Sequence, residues 1–203
     1  MPKKYRFSNW KNSILKIHNP DKIEDISNQN IYRRRLAFDE LLAHQLAIAI
    51  IRNYNQKKKG IVISSNNKLY EKFIKNLKFN LTTSQKKVVE EITIDLESEN
   101  QMIRLLQGDV GSGKTVVALI AILKTVESGY QSVLMVPTSI LANQHFETFC
   151  DLLSDLNLNV ELLTSKDKGN DRINKLQLIA NGNIDIIIGT HALIQEDVVF
   201  HKI

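Results

Sequence analysis

Residues 102–123 read M-I-R-L-L-Q-G-D-V-G-S-G-K-T-V-V-A-L-I-A-I-L, and the fold turns on them. The central eight, G-D-V-G-S-G-K-T at 108–115, match G-x-x-x-x-G-K-[ST], the loop that cradles a nucleoside triphosphate. The apolar run at 102–106 suits a buried strand, and 116–123 suits the helix packed on it. The loop therefore joins a strand end to a helix start. A phosphate chain needs several backbone N–H groups converging on it. The main chain folds that tightly only where Cβ atoms are missing, here at Gly108, Gly111 and Gly113. The unpaired N–H groups and dipole of the following helix add positive potential. Such a loop sends Lys114 to the β- and γ-phosphates and places the Thr115 hydroxyl on Mg²⁺.

Working outward, helix and strand alternate. Helix 114–128 is closed by Gly129, followed by strand 132–136, helix 138–155, strand 159–163, helix 170–181 closed by Gly182, and strand 184–188. With the run at 102–107 this predicts four strands separated by helices. The predicted fold class is α/β: a phosphate-loop NTPase with a parallel sheet covered by helices on both faces. Upstream, Thr82-Thr83-Ser84-Gln85 has the form of a capping box, with Thr82 as N-cap and Gln85 three residues on, opening a helix through Val88, Val89 and Ile92.

Before residue 80 the chain reads as mainly helical. A short helix at 10–18 ends at Asn19-Pro20, a connector covers 21–28, and one long helix runs over 30–54 without Gly or Pro. Lys57-Lys58-Lys59-Gly60 is a stop signal, and a short helix is predicted at 68–77. The chain thus divides into a basic helical segment at 1–60, a connector at 61–80 and a nucleotide-binding domain at 81–203.

Charge follows the same division. Of the 203 residues, 1–60 hold 13 Lys and Arg against 5 Asp and Glu, and the remainder 14 against 17, giving the net +5. Arg33, Arg34 and Arg35 and the three lysines at 57–59 bracket the long helix. Two readings stand here: a surface for a polyanion such as nucleic acid, or a solvated basic face. No run of 18 apolar residues is present, and the amino terminus lacks the apolar core of a signal peptide. The single Cys150 excludes an internal disulfide and a multi-cysteine zinc site, and reads as a half-buried helix residue. These features fit a cytoplasmic protein with no membrane partner.

Two segments follow predicted strands: P-T-S-I-L-A-N-Q-H at 137–145 and G-T-H-A-L-I-Q at 189–195. Each places hydroxyl and backbone N–H groups at a predicted helix start, which is how phosphates are held without reading bases. Spacing alone does not separate that role from an ordinary strand-to-helix turn. Neither His145 nor His191 has a second ligand at metal spacing.

The loop G-D-V-G-S-G-K-T followed by V-V-A, then V-P-T-S-I-L-A-N-Q-H, then I-I-I-G-T-H-A-L-I-Q-E, resembles the first motor domain of superfamily 2 DNA helicases, and within them the RecG family. R-R-L-A-F-D-E-L-L-A-H-Q-L at 34–46 is similar to the helix linking that family's DNA-binding wedge to its motor, which argues for RecG over the alternative, a helicase of the transcription-repair coupling type with nearly the same three motifs. The resemblance implies a RecA-like ATPase that remodels branched DNA, forks and four-way junctions, in repair and recombination. It assigns Gln85 to adenine and Gly108, Asp109, Val110, Gly111, Ser112, Gly113, Lys114 and Thr115 to ATP and Mg²⁺. It assigns Pro137, Thr138, Gly189, Thr190 and His191 to DNA.

The family's Asp-Glu pair, which holds Mg²⁺ and activates water, belongs after the 189–195 segment and is not in this sequence; nor is the second motor domain with its arginine. The chain therefore reads as a fragment holding the linker helix and most of the first motor domain, with no catalytic residue of its own. Asp185, Glu196 and Asp197 read as strand-edge and turn charges. Rival readings are a non-catalytic DNA-binding remnant and a motor completed by a second polypeptide. A phosphate-loop kinase would need a lid and an acceptor site for which no residues are seen.

Overall fold

The computed structural model describes residues 7–56 and 58–203; the amino-terminal six residues and Lys57 of the second basic cluster lie outside the described residues. The chain forms two compact units, Met1–Lys58 and Lys59–Ile203.

In the first unit, α1 (Trp10–His18) starts where the Asn9 side chain accepts a bond from the Lys11 N–H, and it stops at Asn19, one residue before Pro20. A 3-10 turn at Ile23–Ile26 leads into α2, Ile31–Gln56, a single helix of 26 residues. α1 lies against α2, and the Phe7 ring sits 4.7 Å from that of Phe38. Arg35 pairs with Asp39 one turn on, at 2.9 Å. Most of the apolar side chains along α2 remain exposed.

The second unit holds α3 (Lys68–Asn76), α4 (Thr83–Leu96), α5 (Lys114–Glu127), β1 (Ser132–Met135), α6 (Ser139–Leu153), β2 (Val160–Leu163), α7 (Gly169–Ala180) and β3 (Ile186–Gly189), then a 3-10 turn at His191–Ile194. The sheet is parallel in the order β1-β3-β2, with Ile186 beside Ser132 on one side and Val160 on the other. All four residues of β3 are buried. Its side chains alternate between two clusters: Ile186 and Ile188 join Leu119, Leu123 and Phe149, while Ile187 joins Leu163, Ile179 and Leu193. The sheet is therefore apolar on both faces, as the sequence predicts.

One predicted strand is absent. Residues 102–107 take no part in the sheet, which has three strands among the described residues rather than four. Met102 and Leu106 pack on the larger core, whereas Ile103 and Leu105 are 71% and 80% exposed. A strand is a partnership of backbone N–H and C=O groups, and among the described residues no strand pairs with this segment. Just before β1, the Gln131 N–H donates to the Lys202 carbonyl at 2.6 Å.

Cys150 on α6 is exposed rather than half-buried. Desolvation, helped by Asp151 and Glu161, still holds its thiol above the ordinary value, so it is not a reactive thiolate. No described helix is long and apolar enough to cross a membrane.

Candidate functional site

The phosphate-type loop lies between the starts of α4 and α5, and α4 is tied to it. The capping box is complete: the Thr82 hydroxyl accepts from the Gln85 N–H at 3.2 Å, and Gln85 Oε1 accepts from the Thr82 N–H at 2.9 Å. The other end of the same amide, Gln85 Nε2, donates to the Ser112 carbonyl at 2.9 Å. Gln85 thus joins the helix cap to the loop and keeps a second N–H and a second lone pair that an adenine could engage. Position 113 disfavours a side chain: Gly113 has a φ of +79°, and a Cβ there would run into Gln85 Nε2.

Lys114 opens α5 and folds back, with Nζ donating to the carbonyls of Gly108 at 2.8 Å and Asp109 at 2.6 Å. A phosphate would replace those carbonyls as acceptor. The cleft beside it measures about 410 Å³; Val88, Leu106 and Val117 give it an apolar wall, and Gln85 and Lys114 a polar one. Asp109 is the one carboxylate among its lining residues. Gly111 and Val110 form the exposed tip, and Thr115 is half-buried in the first turn of α5. Among the described residues no cluster of three or more His, Cys, Asp or Glu could hold a metal unaided. The donor set fits a Mg²⁺ that arrives with its phosphates and takes one protein hydroxyl, that of Thr115.

The post-strand segments differ from one another. Pro137 and Thr138 are exposed beyond β1, and Thr138 caps α6 by accepting from the Leu141 N–H at 3.3 Å. Beyond β3 the predicted helix start is only a four-residue 3-10 turn, too short to gather a helix dipole. Gly189 is buried, and a Cβ on it would strike the Leu163 carbonyl of β2. Thr190 is 4% exposed, and its hydroxyl has no hydrogen-bond partner among the described residues. Of these three, only His191 presents its side chain to solvent. His145 meets the Phe149 ring edge-on at 6.3 Å, a packing role. Asp185 accepts from the Asn159 N–H at 2.8 Å, which is structural as expected. In the other unit Arg33 and Arg34 are exposed, while Arg35 is half-buried, paired with Asp39 and set over the Phe7 ring.

The sequence predicts the helix that is α7 (Gly169–Ala180), but not the contacts that its cations make. Arg172 Nε and Nη2 grip both oxygens of Asp197 at 2.8–3.0 Å, and Nη2 also donates to Gln195 Oε1 at 2.8 Å. One turn on, Lys175 reaches Asp167 at 2.9 Å, Glu161 at 3.0 Å and the Leu162 carbonyl at 2.6 Å. Burial alone would raise Asp167, but bonds from Lys175 and Thr164 outweigh it and hold the carboxyl below its ordinary value. For Lys175 burial acts downward, and Asp167 and Glu161 carry the net shift upward. Asp197 lies 25 residues from Arg172, so no local spacing announces the contact.

A triphosphate loop at the start of α5, followed by strand-end segments on a parallel sheet, defines a helicase-type ATPase domain. The sequence pattern of the DEAD/DEAH box helicase family matches residues 82–202, and the chain belongs to that family. It is similar to the ATP-dependent DNA helicase RecG of Thermotoga maritima, 49% identical over 84% of this chain and 22% of that protein. It is also similar to RecG of Bacillus subtilis, 43% identical over 98% of this chain and 29% of that protein. A solved structure of RecG bound to a three-way DNA junction superposes with a TM-score of 0.81 at 45% identity, covering 95% of this chain and 26% of that one. The chain spans about a quarter of the length of the relatives it matches. Those relatives carry the matched region within one longer polypeptide, so the expectation of a second polypeptide finds no support.

Proposed function

We propose that this chain is the nucleotide-binding part of an ATP-dependent DNA helicase of RecG type, which remodels branched DNA, forks and four-way junctions, in repair and recombination in the cytoplasm. The observation that carries this reading is the loop at 108–115, seated at the N-terminus of α5 and bonded to Gln85. The junction held by the similar RecG structure supports branched DNA as the ligand.

In this reading the backbone of 108–113 and Lys114 hold the triphosphate, Gln85 the adenine, and Thr115 a Mg²⁺ that neutralises phosphate charge. Pro137, Thr138 and His191 face the DNA backbone, with Gly189 and Thr190 shaping the turn from within. Arg33, Arg34 and Arg35 add a basic surface. Hydrolysis also needs a carboxylate to orient the water and an arginine to stabilise transferred charge. Asp109, part of the loop itself, is the one acid lining the cleft. The chain by itself therefore binds ATP-Mg and turns it over slowly.

The test is binding of a fluorescent ATP analogue, with steady-state hydrolysis measured with and without forked DNA, for the chain and for Lys114→Ala. Saturable binding lost in Lys114→Ala, with little turnover, is expected. No binding by the unaltered chain would overturn the reading. Turnover of roughly 1 s⁻¹ or more, stimulated by DNA, would overturn the assignment of slow hydrolysis.

A further inference from the structure

α7 carries two cations three residues apart, and so on one face. Each grips the loop beyond a different strand. Lys175 holds Asp167 in the loop after β2, and Arg172 holds Gln195 and Asp197 in the segment after β3. The β3 segment is the one that presents His191. It leaves the sheet at Gly189, is plugged by the buried side chains of Ala192 and Leu193, and ends at the Arg172 clamp.

We infer that Arg172 is a positioning residue for nucleic-acid contact by the His191 turn, acting through Asp197 and Gln195 without itself touching the strand. The inference rests on the proposed role of His191. Four donor–acceptor contacts converge on one guanidinium, in the fork geometry that fixes direction as well as distance. Asp197 is half exposed, at 49% of its side chain, so the pair adds little to global stability. Its effect is order. Leu193 is buried and Val198 packs on the smaller core, so losing the clamp would free the exposed stretch 194–197 between them. That stretch would then have to be immobilised on every encounter with DNA, and that cost weakens binding.

The experiment measures affinity of the full chain for a labelled forked DNA as a function of salt, beside its melting temperature. The variants are His191→Ala, Arg172→Ala, Arg172→Lys and Asp197→Asn. Asp197→Asn is decisive because it removes a negative charge near a polyanion. Coulomb attraction alone then gives tighter binding, whereas loss of the clamp gives weaker binding. Arg172→Ala and Asp197→Asn are each expected to weaken binding by roughly threefold to tenfold, and the double variant no further. Arg172→Lys should recover part of the loss, and the salt slope should stay unchanged. Equal or tighter binding by Asp197→Asn overturns the inference. So does a salt slope smaller by about one in Arg172→Ala, the mark of a direct phosphate contact. If Arg172→Ala fails to fold, the near-isosteric Asp197→Asn carries the same test. No DNA binding by the unaltered chain, or none lost in His191→Ala, removes the reading of His191 itself, an outcome distinct from failure of the clamp alone.

Discussion

Two aliphatic helices of this chain meet opposite fates. In α5, Leu119 and Leu123 are fully buried and Ile120 is 1% exposed. In α2, Leu41, Ile50 and Ile51 are each at least 60% exposed. Both have apolar residues at helical spacing, uninterrupted by Gly or Pro. What differs is the neighbourhood. α5 packs on α3 and α4, and its side chains join the cluster that includes Ile186 and Ile188 of β3; α2 has the short α1 within its unit. Periodicity decides that a segment is helical, and burial depends on a surface supplied from elsewhere.

That contrast can be broken by substitution. Leu119→Ala should destabilise the second unit by roughly 3 kcal/mol, read by urea unfolding, because it opens a cavity between elements that cannot close over it. A loss below about 1 kcal/mol would mean that α5 is far less tightly packed. Thr82→Ala should cost about 1 kcal/mol by removing one half of the capping box on α4. Lys114→Ala, at the half-buried first residue of α5, should leave stability nearly unaltered while abolishing nucleotide binding, which separates the helix's packing role from its binding end. Ile50→Ala on α2 should change stability by no more than about 0.5 kcal/mol. A large effect there would show that α2 is covered in solution.

A pH series sharpens the same comparison within the second unit. Asp167 is held below its ordinary value, so its contribution is present above the unfolded carboxyl pKa of about 4 and is lost as pH falls through the folded value. Lys175 is held above its ordinary value, so its contribution is present below about 10.4 and is lost as pH rises through the folded value. The unaltered chain should therefore melt higher than Asp167→Asn near neutrality, and the gap should narrow as pH drops below about 4. A gap that stays constant down to pH 2 would mean that the Lys175 contact is absent in solution.

Much of the site was legible because its chemistry is local. The loop at 108–115 and the capping box of Thr82 and Gln85 each lie within a few residues, where backbone geometry and side-chain spacing are set by the chain itself. The helix starts were legible within a residue or so for the same reason: Thr82 is the cap predicted for α4, and Asn9 and Thr138 cap helices whose starts were predicted at 10 and 138. The segment at 102–107 shows the limit. Its apolar residues predict a strand, yet a strand needs a neighbour that the segment does not contain.

The sequence by itself determined that this is an α/β chain with a triphosphate loop, because helix periodicity, caps and glycine turns are short-range properties. The tertiary structure alone decided that Gln85 bonds the loop, that Gly189 and Thr190 turn inward while His191 faces out, and that Arg172 clamps Asp197. Those facts depend on which distant surfaces meet, and packing between elements far apart in the chain leaves no pattern in the residues nearby.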